Sequence, residues 1–223
     1  MGDSEPVAVD FAKSDADMFT NRDSRVDYSE DKATIIQLNG DSVICNSAAV
    51  KVAGTAVTIC DEGTYILRGK MDNGSVTVEA GDKDKVQIVL EGTEIHSENS
   101  AALMISTADK VFVTLAEGTE NTLSNGNGFA DTVDGTVFSQ QDLTFNGKGG
   151  LKVESPVGHG IVCKDDLVFT GGSCSIHAAS HGIDVNDSFR MNAGKIDMDV
   201  GKDGVHAEDN DNAETGFVYI SGG

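Results

Sequence analysis

The sequence predicts an all-β chain, and three observations carry that expectation. Apolar residues alternate in short runs, turn-forming residues collect between the runs, and the last third of the chain repeats itself at a fixed spacing. The alternation is visible in Val76-Val78, Val86-Ile88-Leu90, Val111-Val113-Leu115 and Leu143-Phe145. A period of two places such residues on one face of a strand. Between the runs lie Gly81-Asp82-Lys83-Asp84, Asn125-Gly126-Asn127-Gly128 and Asn146-Gly147, residues whose side chains or backbone freedom suit turns. Apart from one turn near Asp15 to Phe19, no segment has helical length and period.

The repeat sets the expected architecture. Gly160 to Phe169 aligns without a gap on Gly182 to Met191, an offset of 22. Gly172, Cys174, Ile176 and Ala178 then fall on Gly194, Ile196, Met198 and Val200, and Gly182-Ile183 falls on Gly204-Val205 at the same offset. Each copy offers short strands with one apolar face that it cannot bury alone, so copies must stack. Looser copies run upstream, with Leu143 and Phe145 preceding Leu167 and Phe169, and Val86 and Ile88 preceding Val111 and Val113. The reading is a right-handed parallel β-helix (a β-solenoid) with rungs of roughly 22 residues over residues 34–223, about eight rungs at the ~4.8 Å strand spacing. Residues 1–33 form an acidic N-terminal segment expected to cap the stack in part. The last rung has only begun at Tyr219-Ile220, so the stack is read as truncated there, with an open end suited to end-to-end self-association.

Composition excludes several functions. Among 223 residues, 16 are Lys or Arg and 37 are Asp or Glu, a formal charge of −21, which repels nucleic acid and anionic membranes. Neither an apolar run of about 18 residues nor a basic, apolar leader is present, so neither a membrane span nor a signal peptide is expected in these residues. Only 2 prolines occur, and the alternating runs oppose disorder.

The acidic residues recur with the repeat. Asp165, Asp187 and Asp209 share one position, and like charges about 5 Å apart on adjacent rungs repel unless a cation sits between them. Calcium takes six to eight oxygen ligands, and with Asp211 and Glu214 these three aspartates are the candidate calcium ligands. The stretch from Ser124 to Val137 interrupts the period, and insertions in repeat proteins often form the binding face. Candidate glycan contacts are therefore Asn125, Asn127, Asp131 and Asp134, with Lys164 and Arg190 for sugar carboxylates. His159 and His181 share a repeat position, but two histidines fall short of the three or four ligands of a zinc site. Cys163 and Cys174 occupy inward positions and read as small core residues; a disulfide between them is left open.

Several segments resemble a known family: TIIQLNG from Thr34, DEGTYIL from Asp61, DKVQIVLEG from Asp84, ADKVFVTLAEGTENTLSNG from Ala108, GHGIVCKDDL from Gly158 and GKDGVHAEDN from Gly201. They are similar to the bacterial carbohydrate-binding β-helix family, whose founding clostridial member binds cellulose and acidic sugars. That resemblance covers residues 18–223. It implies a polysaccharide-lyase-like β-helix, bound calcium, polygalacturonate-type ligands, no demonstrated lyase activity, and export to the cell surface as a lipoprotein. The expected function is noncatalytic binding of an acidic plant cell-wall polysaccharide of the pectin type, or of cellulose, assisted by calcium, outside the cell. Two alternatives stay open, a calcium-dependent uronate lyase of the same fold and a structural surface adhesin. Few aromatics are available for stacking on neutral sugars, since the chain has no Trp and 3 Tyr.

Overall fold

The computed structural model describes residues 13–129, 133–212 and 214–223. A one-turn helix α1 (Asp15–Met18) and a 3-10 turn (Glu30–Lys32) lead into strands. The first group comprises β1 (Thr34–Gly40), β2 (Ser42–Ile44), β3 (Val50–Ala53), β4 (Ala56–Ile59), β5 (Gly63–Met71), β6 (Ser75–Glu79) and β7 (Lys85–Ser97). There follow β8 (Leu103–Thr107), β9 (Lys110–Leu115), β10 (Glu120–Asn125), β11 (Gly135–Ser139), β12 (Asp142–Gly147) and β13 (Gly150–Ser155). The last are β14 (His159–Cys163), β15 (Asp166–Ala178), β16 (Ile183–Val185), β17 (Ser188–Val200), β18 (Val205–Ala207) and β19 (Phe217–Ile220).

The all-β expectation holds, but the right-handed parallel β-helix does not describe how these strands pair. In the first sheet, β7 pairs with β9, β9 with β12, β12 with β15, β15 with β13, β13 with β10, and β10 returns to β7. All six pairings are parallel, so hydrogen bonding closes a six-stranded parallel barrel. A second sheet of eight strands runs β18-β16-β14-β11-β8-β6-β4-β3. Antiparallel pairs occur where the chain enters each sheet, at β1–β2 and β3–β4.

The closure has a local cause. Strands β7 and β15 are each 13 residues long, and each serves two different neighbours. Lys85 to Leu90 of β7 faces β9 while Glu94 to Ser97 faces β10. Leu167 to Phe169 of β15 faces β12 while Ser173 to Ala178 faces β13. At each bend sits a glycine with positive φ, Gly92 at 69° and Gly172 at 83°, a conformation that costs glycine little and other residues much. The apolar runs predict separate short strands, and a period of two carries no sign that one strand turns a corner and joins two ladders.

The repeat appears as register. Ile161 pairs with Ile183 and Ile183 with Val205, while Leu167 pairs with Phe189 and Cys174 with Ile196. Inward side chains line up strand after strand, as in the column Met71, Ile95, Leu123, Val153, Ile176, Met198. Its first five members are fully buried. Phe145 stacks on Phe169 with ring centroids 4.8 Å apart, and Phe169 meets Phe189 at 5.9 Å. Each such large side chain contributes about 1.5–3 kcal/mol on burial. All four cysteines are free. Cys163 and Cys174 lie inside this core, where burial pushes the Cys174 thiol up to about 12. They are core residues, as their inward repeat positions predict.

On the outward side of β7, β9, β12 and the first half of β15, the segment around Asp23 covers a line of polar groups. The Gln87 amide donates to the Thr114 hydroxyl at 3.0 Å, Thr114 donates to the Asn146 side-chain oxygen at 2.7 Å, and the Asn146 amide donates to the Asp23 carbonyl at 2.9 Å. Thr144 donates to the Asp23 carboxylate at 2.9 Å, Thr170 donates to the Asp23 carbonyl at 2.6 Å, and Lys110 lies 3.0 Å from the carboxylate. Asp23 is 1% exposed. Burial raises its pKa, but the Thr20 backbone N–H, the Lys110 charge and the Thr20 hydroxyl outweigh burial and hold it below the usual carboxylate value. Among the described residues, no helix is long and apolar enough to cross a membrane.

Candidate functional site

Beyond their bends, β7 and β15 present a different outward face. Here β7, β10, β13, β15 and β17 lie side by side, and alternation sends every second side chain to solvent. One outward column reads His96, Ser124, Glu154, His177, Asp199, and the next reads Glu94, Thr122, Lys152, Ser175, Asp197. Strand register alone sets these columns. Within them, Lys152 lies 2.7 Å from Glu154, His177 lies 3.0 Å from Asp199, and the His96 ring meets the Ser124 hydroxyl at 3.0 Å.

Two open hollows indent this face. A groove of about 730 Å³ is lined by His96, Ser124, Lys152, Glu154, His177 and Asp199 among others. A smaller hollow of about 310 Å³ runs past Glu120, Lys148, Lys152, Ser173 and Ser175. Lys152 borders both, so they adjoin as one trough across parallel strands, with the polar columns along it and Pro156, Ala178, Ala179 and Val200 as apolar parts of its wall. Charged, hydroxyl and imidazole groups recur at the ~4.8 Å strand spacing, which suits a ligand that itself repeats and is rich in hydroxyls. Of this face the sequence singles out only Asn125, which lines the larger groove. The rest of the signal lies in the solvent-side positions of the repeat, such as Ser173, Ser175, His177 and their successors Lys195, Asp197, Asp199, which a period of two marks only as the polar half of an alternation.

The sequence-predicted acidic residues lie elsewhere, at the turns entering β15 and β17 and after β18. Asp165, Asp187 and Asp209 follow Cys163, Val185 and Ala207 by the same step, and those three core positions are in register. The carboxylates feel one another. Burial first, then Asp165, Asp166 and Asp209, raises the Asp187 pKa, with Arg190 opposing. Burial, reinforced by Asp165 and Asp166 and opposed by Lys110, pushes the nearby Asp142 up to about 6. Asp209 is differently occupied: its carboxylate accepts from the Thr215 hydroxyl at 2.6 Å and the Asp211 N–H at 2.8 Å, which holds its pKa low. Asp211 and Glu214 are exposed in the same loop.

The predicted glycan contacts are dispersed. Asn125 is buried, its amide donating to the Gly126 carbonyl at 2.9 Å and its oxygen accepting from Thr136. Asn127 and Asp134 are exposed, while Asp131 lies outside the described residues. Lys164 is exposed, with its ammonium 3.8 Å from Asp184. Arg190 donates to Asp166 at 2.7 Å and to the Met18 carbonyl at 3.3 Å, so its guanidinium is engaged within the fold.

The histidines form a stack on the outside of the second sheet. His159 and His181 stack with ring centroids 5.1 Å apart and nearly parallel planes, and His181 stacks on His206 at 4.6 Å. Asp184, directly in register with His206, accepts from or pairs with its Nδ1 at 2.8 Å. One donor atom from each of His159, His181 and Asp184 lies within 4.8 Å of the others. Burial, ahead of the opposing charges of Asp184 and Asp134, lowers the His159 pKa. Asp184 was missed from the sequence because residues three apart on a plain strand face opposite ways; the turn at Gly182, just before β16, removes that restriction.

Residues 53–223 match the family described as carbohydrate-binding domain-containing protein. The chain belongs to that family. A carbohydrate-binding domain-containing protein from Acetivibrio thermocellus is 30% identical over 148 residues, 64% of this chain and 50% of the relative, so the chain spans about half the length of that relative. The structure of the polysaccharide lyase-like protein from C. thermocellum, a gadolinium derivative, matches with a TM-score of 0.82 at 28% identity, covering 85% of this chain and 79% of that one. The family member described here therefore has a polysaccharide lyase-like fold. The resemblance read from the sequence is borne out at the level of carbohydrate binding, while its β-helix description gives way to the barrel and second sheet.

Proposed function

We propose that the protein binds polysaccharide without cleaving it, holding an acidic glycan of the polygalacturonate type across the trough on β10, β13, β15 and β17, outside the cell. The observation that carries this reading is the continuous ladder of outward polar side chains lining an open trough. A linear glycan laid across the strands meets a similar set of donors and acceptors at each step. Lys152 and Lys195 stand on this face, and Lys148 at its margin, so a chain of net charge −21 offers cations to uronate carboxylates here. The absence of exposed tryptophan from the composition favours hydrogen bonding and ion pairing over ring stacking.

Calcium assists in this reading by neutralising the turn carboxylates, not by bridging to the sugar. Asp142, Asp165, Asp166 and Asp187 repel one another where β12, β15 and β17 start, whereas the trough lies beyond the bend of β15. A hard divalent cation would relieve that repulsion, and gadolinium, present in the solved relative, is likewise a hard, oxygen-seeking ion. The noncatalytic assignment draws support from Arg190, the arginine of the regular repeat, whose engagement with Asp166 and Met18 leaves it unsuited to act as a base.

Calorimetric titration with oligogalacturonate and with cello-oligosaccharide, in calcium and in chelator, tests this reading. Binding of the acidic oligomer that weakens at least about fivefold in a Lys152→Ala/His177→Ala variant is expected, since about 1 kcal/mol is a modest loss for two polar contacts. Chelator should lower the melting temperature more than it lowers affinity. Silence towards both sugars, or unchanged affinity in the double variant, overturns the trough. Release of an unsaturated product absorbing in the ultraviolet would establish the lyase alternative.

A further inference from the structure

Outside the trough, the second sheet carries a cluster with different chemistry. Its outward column runs Met104, Phe138, Val162, Asp184, His206, changing from apolar to polar between β14 and β16. Phe138 and Val162 are buried with Ala101 against Met104 and Val133, so Val133 covers the apolar part. Where that cover stops, His159, His181 and Asp184 converge, each only 12–18% exposed at the side chain.

We propose that His159, His181 and Asp184 form a binding site for a borderline transition-metal ion such as Zn(II), Co(II) or Ni(II), with His206 or water completing the shell. Two imidazoles and one carboxylate suit these metals, whereas calcium and magnesium prefer all-oxygen sets. Donor atoms within 4.8 Å of one another need only modest side-chain rotation to reach metal bonds of about 2.0–2.2 Å. The surroundings supply the orienting carboxylates that metal-bound histidines usually have. Asp203 lies 3.2 Å from His181 Nδ1, leaving Nε2 as the donor, and Asp134 lies 3.9 Å from His159 Nε2.

A second observation separates this reading from a merely structural stack. Among the described residues, His159 Nδ1 is buried and has no hydrogen-bond partner, and an unpaired buried polar atom costs about 1–3 kcal/mol. A stack selected only for packing gains nothing from that orphaned nitrogen. A metal ion gives it a partner. Nearby Lys164, 3.8 Å from Asp184, holds the carboxylate when no ion is bound and can swing away on its long side chain.

The test uses the full chain without an affinity tag, stripped with chelator and dialysed. Titration with Co(II) should give one equivalent bound, with visible absorption bands of low-symmetry nitrogen and oxygen coordination, displaced by Zn(II) and not by a large excess of Ca(II). Because changing only an orienting partner costs about 10–100-fold in metal affinity, Asp184→Asn and His181→Asn should each weaken Zn(II) binding by at least about tenfold. Far-UV circular dichroism and melting of each variant establish that it is folded. Asp184→Asn keeps shape and hydrogen-bonding capacity, so it decides the matter even if a histidine variant unfolds. Failure to bind Co(II) or Zn(II) tighter than millimolar, equal competition by Ca(II), or unchanged affinity in folded Asp184→Asn would overturn the site.

Discussion

Two stretches of the same sheet surface, on either side of the bends in β7 and β15, have opposite characters. Before the bends, the outward groups Gln87, Thr114, Thr144 and Asn146 are buried beneath Asp23 and fully hydrogen-bonded within the protein. After the bends, Lys152, Ser175, His177 and Asp199 face solvent along a trough. Both arise from the same alternation of side chains, so polarity does not distinguish them. What distinguishes them is whether the chain itself has already supplied the partner. A buried polar ladder is a structural joint, because leaving any member unsatisfied is costly. The open ladder pairs only weakly with itself in water and is free to exchange those pairs for a ligand's.

The largest test of this contrast is Asp23→Ala, which strands Lys110 and the hydroxyls of Thr20 and Thr144, while Asn146 and Thr170 keep the backbone carbonyl of residue 23. Removing one partner of a buried ion pair costs about 3–5 kcal/mol, and urea unfolding should show a loss near the low end because Lys110 retains Asp142 at 3.7 Å. A loss below ~1 kcal/mol would make the covered face no more structural than the open one. Acidification should act in the same direction. The Asp23 pKa is lowered in the fold, so its contribution is present above the unfolded carboxylate value near ~4 and is lost as pH falls below it.

Next in size is Asp142→Asn, with the opposite sign. The folded pKa of Asp142 is raised to about 6, so ionising it costs more in the fold than in the unfolded chain. Stability therefore falls as pH rises from ~4 through about 6. The variant should gain roughly 1 kcal/mol at pH 7 and nothing below pH ~4, read from paired melts at the two pH values. Added calcium should shrink the gain if the ion neutralises these turns. The smallest effect belongs to the open face: Lys195→Ala, which breaks a pair 2.6 Å from Asp197 whose members are mostly exposed, should change stability by less than ~0.5 kcal/mol. A larger change would mean that the trough is built for stability and not for a ligand.

Much of the interior was legible because alternation and repeat are properties of sequence itself. Val86, Ile88, Leu90, Val111, Val113, Leu143 and Phe145 are all buried, and the offset of 22 is the pairing register of β14, β16 and β18. Closure of the barrel was not legible, since a period of two looks the same before and after a corner at Gly92 or Gly172. Asp23 gave no signal either; it lies in an acidic, non-repeating stretch, and its partners are defined only once distant strands are adjacent. For the site, the insertion drew attention through its Asn, Gly and Asp content, yet Asn125 is spent on Gly126 and Thr136. The histidine position repeated at 159 and 181 was visible, but the third member, Asp184, emerges only from the turn geometry that brings it beside them.

The joint at Asp23 also orders events in time. Its bonds to Thr144 and Thr170 span 121 and 147 residues, whereas the strand pairs beneath it join segments a few tens of residues apart. Long separations are closed late because the chain must surrender more freedom before the contact repays it. On the ribosome, Asp23 emerges well before β12 and β15 exist, and must wait as an acidic tether while its receptor is assembled from strands made after it. Refolding should therefore end in a step that quenches exchange at the amides near Asp23 without changing the β signal, with residues synthesised before their receptor being the last to find their places.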